Sequence, residues 1–145
     1  MSKDAFFLQI KENFELKEVD IRTYSPLSLA YAGDAVFDLI VRSILIGNGN
    51  ISNNDLHKAA TKYVSARAQA IIIETILPKL TEEEAAVYRR GKNSKPSSRA
   101  KNATLNEYQK ATGFEALLGY LYLEGEQERV FEIVKMGMDI IDGGK

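Results

Sequence analysis

Asp34 and Glu115 are the acidic residues placed where a carboxylate is hardest to explain as ordinary helix surface. Asp34 lies in Ala30-Tyr31-Ala32-Gly33-Asp34-Ala35-Val36-Phe37, where its neighbours one turn away are mostly apolar. Burying an unpaired charge among such residues is expensive. Gly33 beside it costs about 1 kcal/mol against alanine in a helix interior. With Ala30, Ala32 and Ala35, it lets another helix or a ligand approach closely. Glu115 is flanked by Phe114 and by Ala116-Leu117-Leu118-Gly119-Tyr120, again with a glycine one turn on. Singly, each has a plain reading: an exposed aspartate beside a packing glycine, and a glutamate at the edge of a core stripe with its head in water. Two such carboxylates converging from two helices repel unless a proton or a cation lies between them. The chain has no cysteine, which excludes thiolate sites, and one histidine, His57, so multi-histidine sites and a His–Asp relay have little to build on. Oxygen-only ligation favours Mg²⁺, with Mn²⁺ as substitute. Asp38, one turn from Asp34, is a further candidate ligand, and His57 reads as helix surface.

A second constellation is basic. Arg89, Arg90, Lys92, Lys95, Arg99 and Lys101 follow one another with no acidic residue between them. The whole chain carries 19 Lys and Arg against 20 Asp and Glu, a net charge of −1, which excludes a globally basic nucleic-acid binder but not a local patch. Guanidinium groups on a Gly-, Ser- and Pro-containing segment can follow a phosphate backbone. The plain alternative is a solvated loop. Lys62 and Arg67 either extend this basic face or are ordinary helix-end charges, and Tyr31 and Tyr122 read as core or edge aromatics.

The elements that must hold these residues read as helices. The chain has 145 residues, 45% of them hydrophobic, which predicts one folded domain spanning 1–145. Ser25-Pro26 marks a helix start, with the run continuing to Ile46 and stopping at Gly47-Asn48-Gly49-Asn50. Ser52 opens a second helix, Ala66 to Leu77 forms a third, and Thr81-Glu82-Glu83-Glu84 is a capping-box pattern for a short helix to about Arg90. Gly91 to Asn102 reads as a loop; helical spacing returns from Thr104 to Leu123, with a last helix beyond Gly125. The prediction is an all-α helical bundle with one irregular basic excursion. The most apolar stretch, Leu27 to Ile46, contains Asp34, Asp38 and Arg42, so no membrane span is expected. The start of the chain lacks the apolar run of an export signal, which points to the cytoplasm.

Leu29-Ala30-Tyr31-Ala32-Gly33-Asp34-Ala35-Val36 resembles the signature helix of the ribonuclease III family, whose hallmark is a Gly-Asp-Ala step. Phe114-Glu115-Ala116-Leu117-Leu118-Gly119-Tyr120 resembles the family's second signature, in the same order and at a fitting separation. The length, with no room for an appended double-stranded-RNA-binding domain, and Arg89-Arg90-Gly91-Lys92-Asn93 point to the short Mini-ribonuclease III branch. The resemblance implies a ribonuclease III-like endonuclease domain. It would be a homodimer cleaving double-stranded RNA with Mg²⁺ to leave 5′-phosphate and 3′-hydroxyl ends. Asp34 and Glu115 map onto the signature carboxylates as catalytic metal ligands. Arg89, Arg90, Lys92, Lys95, Arg99 and Lys101 would grip the RNA. The implied substrate is the double-stranded stalk of precursor 23S ribosomal RNA, with a ribosomal protein as a conceivable presenter. Larger members carry further carboxylates where this chain has Ala30 and Thr112, so an RNA phosphate or water would complete the metal shell. The alternatives are an inert RNA-binding or ribosome-assembly module on the same fold, and an all-α adaptor whose two carboxylates tune an interface.

Overall fold

Local capping chemistry sets the helix starts. In the computed structural model, which describes residues 4–94 and 104–143, the Ser25 hydroxyl accepts from the Ser28 N–H at 3.1 Å and opens α2 (Pro26–Gly47). Ser52 does the same for α3 (Asn53–Val64), accepting from Asp55 at 3.1 Å. Ser65 ends α3 and caps α4 (Ala66–Ile76), which runs into a short 3-10 turn at Leu77–Lys79. The Thr81–Glu84 capping box forms as the sequence predicts and starts α5 (Glu82–Lys92). A second box, Thr104 with Glu107, opens α6 (Leu105–Leu123). Gly125, at φ +76°, makes the break before α7 (Gln127–Ile141). An N-terminal helix that the sequence reading passed over, α1 (Phe6–Asn13), completes the set. The described residues contain no strand, as expected of an all-α chain.

The expected loop from Gly91 to Asn102 is corrected at its start: Gly91 and Lys92 are the last turn of α5. Gly91 is buried against α6, where an added Cβ would sit 2.7 Å from the Ala116 Cβ and 2.9 Å from the Gly113 Cα. The glycine that looks like a breaker is thus a packing residue. Lys95, Arg99 and Lys101 lie outside the described residues.

Helix α6 is the centre of the molecule. Residues Ala111–Phe114, Ala116–Gly119 and Leu121 are all buried, so it has no wet face to speak of, and α2, α4, α5 and α7 pack around it. The stripe expected along it is therefore only part of what it buries. Phe37 of α2 and Phe114 of α6 meet edge-to-face with ring centres 5.4 Å apart in the main core, with Ile72, Ile73, Leu117 and Ile133 around them. Arg129 of α7 forks onto the buried Glu84 with two 2.9 Å hydrogen bonds, tying α7 to the start of α5. No helix among the described residues is long and apolar enough to cross a membrane.

Candidate active site

The site is built where α2 crosses α6. Their backbones touch at two glycines. A Cβ on Gly33 would lie 1.7 Å from the Glu115 carbonyl oxygen, and one on Gly119 would lie 1.9 Å from that of Leu29. Only hydrogen fits at either position, which explains glycines in helix interiors where propensity argues against them. The crossing brings Asp34, the residue after Gly33, against Glu115, one turn before Gly119. Asp34 is exposed, whereas Glu115 is largely sunk between the helices. Phe37, one turn on from Asp34, and Phe114, the residue before Glu115, are both buried and meet each other in the core.

Burial first, and the neighbouring charge of Asp34 second, push the Glu115 carboxyl from its ordinary 4.5 up to about 8, against the opposing pull of a hydrogen bond from Gln69. A carboxyl in this state holds a proton at neutral pH in the free protein. A divalent cation can take that proton's place, neutralising both carboxylates at once. The donor set fits a hard cation that keeps several of its waters: Mg²⁺ commonly takes one or two carboxylates and fills its shell with water and substrate phosphate. No group of three or more potential ligands occurs among the described residues. Ala30 is a buried methyl, and the Thr112 hydroxyl is spent on the Tyr108 carbonyl of its own helix at 2.9 Å. Asp38, the further candidate, turns instead to Arg42, with Nε 3.0 Å from its Oδ2.

Gln69 is the residue that sequence reasoning missed. Only 2% exposed, it donates through Nε2 to the Val64 carbonyl at 3.0 Å and to Glu115 Oε2 at 3.2 Å. A signal was there: Gln69 shares a helical face with Ile72, Ile73 and Ile76, so periodicity places an amide in a buried row.

The basic end of α5 adjoins this site. Gly91 packs on Ala116, the residue after Glu115; Arg89 and Arg90, the two residues before Gly91, are exposed, and Lys92, the residue after it, is half-buried. Of the other residues singled out, Lys62 pairs with Asp142 at 2.8 Å, and His57 and Arg67 lie on the surface. Tyr122 packs on Phe7 with ring centres 5.4 Å apart, while Tyr31 is 85% exposed, against the expectation of a core or edge position.

Known proteins resemble the chain in sequence and in fold. A family model described as the ribonuclease III domain matches residues 27–126, a span that contains both carboxylates. A Mini-ribonuclease 3 of Brevibacillus brevis is 51% identical over 119 residues, covering 82% of this chain and 89% of that protein. A Mini-ribonuclease 3 of Symbiobacterium thermophilum is 47% identical over 123 residues, covering 85% and 95%. A crystal structure of a protein from Fusobacterium nucleatum superposes with a TM-score of 0.76 at 33% identity, covering 84% of this chain and 98% of that one.

Proposed function

The chain belongs to the ribonuclease III family and is an endoribonuclease; from that premise we propose that it cuts double-stranded RNA with a divalent cation, Mg²⁺ or in its place Mn²⁺, held by Asp34 and Glu115. The observation that carries this reading is the meeting of those two carboxylates at the glycine crossing of α2 and α6. When bound, the cation supplies Lewis acidity at a phosphodiester and a water of lowered pKa. The chain's own residues do the rest. Gly33 and Gly119 hold the two helices at contact distance, so the carboxylates are positioned before substrate arrives. Phe37 and Phe114 keep water from the inner side of the pair. Exposed Asp34 faces the incoming strand, and the half-buried Glu115 is the fixed partner.

In this reading, Arg89, Arg90 and Lys92, continued by Lys95, Arg99 and Lys101, neutralise backbone phosphates beside the cut. A-form RNA is recognised chiefly by shape through phosphates and 2′-hydroxyls. The described helices then act as one catalytic domain. The product ends are 5′-phosphate and 3′-hydroxyl. The cellular substrate is the double-stranded stalk of precursor 23S ribosomal RNA in the cytoplasm, with a ribosomal protein presenting it. Mapping 23S ends in cells lacking the chain checks that assignment.

The test is cleavage of a long RNA duplex and of its separated strands, with Mg²⁺ and with chelator. Staggered cutting of the duplex alone, abolished by chelator and weakened steeply as salt rises, is the expected result. Equal cutting of single strands, or cutting in chelator, would sink the reading.

The working form is a homodimer. An apolar groove of about 970 Å³ opens between α1, α2 and α7, lined by Phe6, Ala35, Leu39, Ile44 and Phe131 among others. Leu39, Ile44, Phe6 and Phe131 are all exposed, an apolar area of the kind that marks an interaction face. A two-fold axis would place the same face on both copies and give a cut on each strand. Sedimentation equilibrium should give the dimer mass for the wild type and the monomer mass for Leu39→Glu; a monomeric wild type would refute the assignment.

A further inference from the structure

We propose that Gln69 is a positioning residue for the cation site: its amide takes one oxygen of Glu115 and so fixes which oxygen is left for the metal. The inference rests on the reading of Asp34 and Glu115 as cation ligands. Three observations carry it. First, both N–H groups of Nε2 are engaged, one by the Val64 carbonyl at the end of α3 and one by Glu115 Oε2. Neither partner leaves the amide free to turn, because a backbone carbonyl accepts only and anchors the donor side. Second, the other end of the same amide, Oε1, is buried with no hydrogen-bond partner. A buried unsatisfied acceptor is costly, and a leucine would fill the space without one. The donor to Glu115 is what an apolar side chain could not supply. Third, the places of two further carboxylates expected from larger relatives are a methyl and a self-satisfied hydroxyl, so the geometry of the remaining pair has no other support at those positions.

The consequence is that Oε2 of Glu115 is held from α4, so its other oxygen would be the one left to a cation. Ligating carboxylates held by an outer hydrogen bond commonly lose about 10- to 100-fold in metal affinity when that bond is removed. Acting through Glu115, Gln69 needs no contact with RNA.

The test reads metal binding, not cleavage. In the metal-free protein, Mn²⁺ binding is measured by the spin-resonance signal of the free ion for wild type, Gln69→Leu, Glu115→Gln and the double variant. Gln69→Leu should weaken Mn²⁺ binding by about tenfold or more. In the Glu115→Gln background it should add nothing, because the residue through which it acts is gone. A folded Gln69→Leu that binds Mn²⁺ as tightly as wild type overturns the proposal. So does an equal loss in both backgrounds, which would make the residue merely structural. Gln69 also satisfies the Val64 carbonyl, so the variant could fail to fold; the wild type then decides. In a Mg²⁺ titration followed by nuclear magnetic resonance, the Gln69 side-chain amide should shift with the same midpoint as the Asp34 and Glu115 carboxyl carbons. Carboxyl carbons that move while the amide stays still overturn this inference alone. Carboxyl carbons that also stay still overturn the metal-site reading with it.

Discussion

Asp34→Asn and Glu115→Gln are each expected to lose cleavage by on the order of 10²- to 10⁴-fold, while the folded protein still binds RNA duplex. Each substitution replaces an oxygen that can ionise to bind a cation with a neutral amide of the same shape, so cation binding suffers while the α2–α6 packing does not. Duplex binding should hold for Glu115→Gln and hold or tighten slightly for Asp34→Asn, which removes an exposed carboxylate from beside a phosphate. Parallel loss of binding and cleavage would contradict the site assignment, as would Asp34→Asn cutting at the wild-type rate. The two variants should nevertheless differ in stability, because their environments differ. Glu115 is half-buried, with its carboxyl raised from 4.5 to about 8. Between those pH values the metal-free native state keeps a proton that the unfolded chain has lost, so stability falls as pH rises through the window. It is fully present below about 4.5 and levels off above about 8. Glu115→Gln cannot make this loss, so in chelator its thermal midpoint should gain on the wild type steadily from pH 5 to pH 8. A constant difference across that range would mean that Glu115 does not hold its proton. Metal should reverse the trend, because binding needs the ionised pair: added Mg²⁺ should stabilise the wild type more at pH 8 than at pH 6.

Gly33→Ala and Gly119→Ala should be severely damaging for the addition of a single methyl. The added carbon would fall 1.7 Å from one backbone carbonyl oxygen and 1.9 Å from the other. No rotamer can relieve a backbone clash, so α2 and α6 must separate. Overpacking costs about 1–3 kcal/mol and occasionally more, while alanine returns about 1 kcal/mol of helix propensity. A backbone contact this short belongs at the top of that range, so a net loss of about 2 kcal/mol is expected, read as a lower urea midpoint. Activity should fall further than stability accounts for, since misplacing reacting groups by about 1 Å can cost about 10²-fold. Gly47→Ala is the control: nothing lies within 4 Å of its added Cβ, and the residue is the last of α2, so the urea midpoint should hold or rise slightly. Either crossing variant with a wild-type midpoint and wild-type cleavage would mean that the close contact positions nothing.

Much of this protein is readable one helical turn at a time. Ser25, Ser52 and Thr81 cap their helices because a hydroxyl reaches only the backbone N–H groups just beyond it, and such rules need no knowledge of the rest of the chain. Asp34 and Glu115 are conspicuous for the same reason: a carboxylate among small and apolar helix neighbours conflicts with its own surroundings. Longer-range packing settles the remainder. Gly91 reads as a breaker until α6 lies against it, when its missing side chain becomes the reason that α5 can continue. Asp38 is as close to Asp34 along the helix as any ligand could be, yet it turns to Arg42. Gln69 and Glu115 are 46 residues apart, and nothing local could pair them. The sequence specifies which residues carry charge, where the helices start, and which glycines permit contact. Whether the two carboxylates meet, which one is buried, and what holds it follow from the crossing of α2 over α6, because desolvation and charge coupling depend on the distance between chain segments that local rules do not constrain.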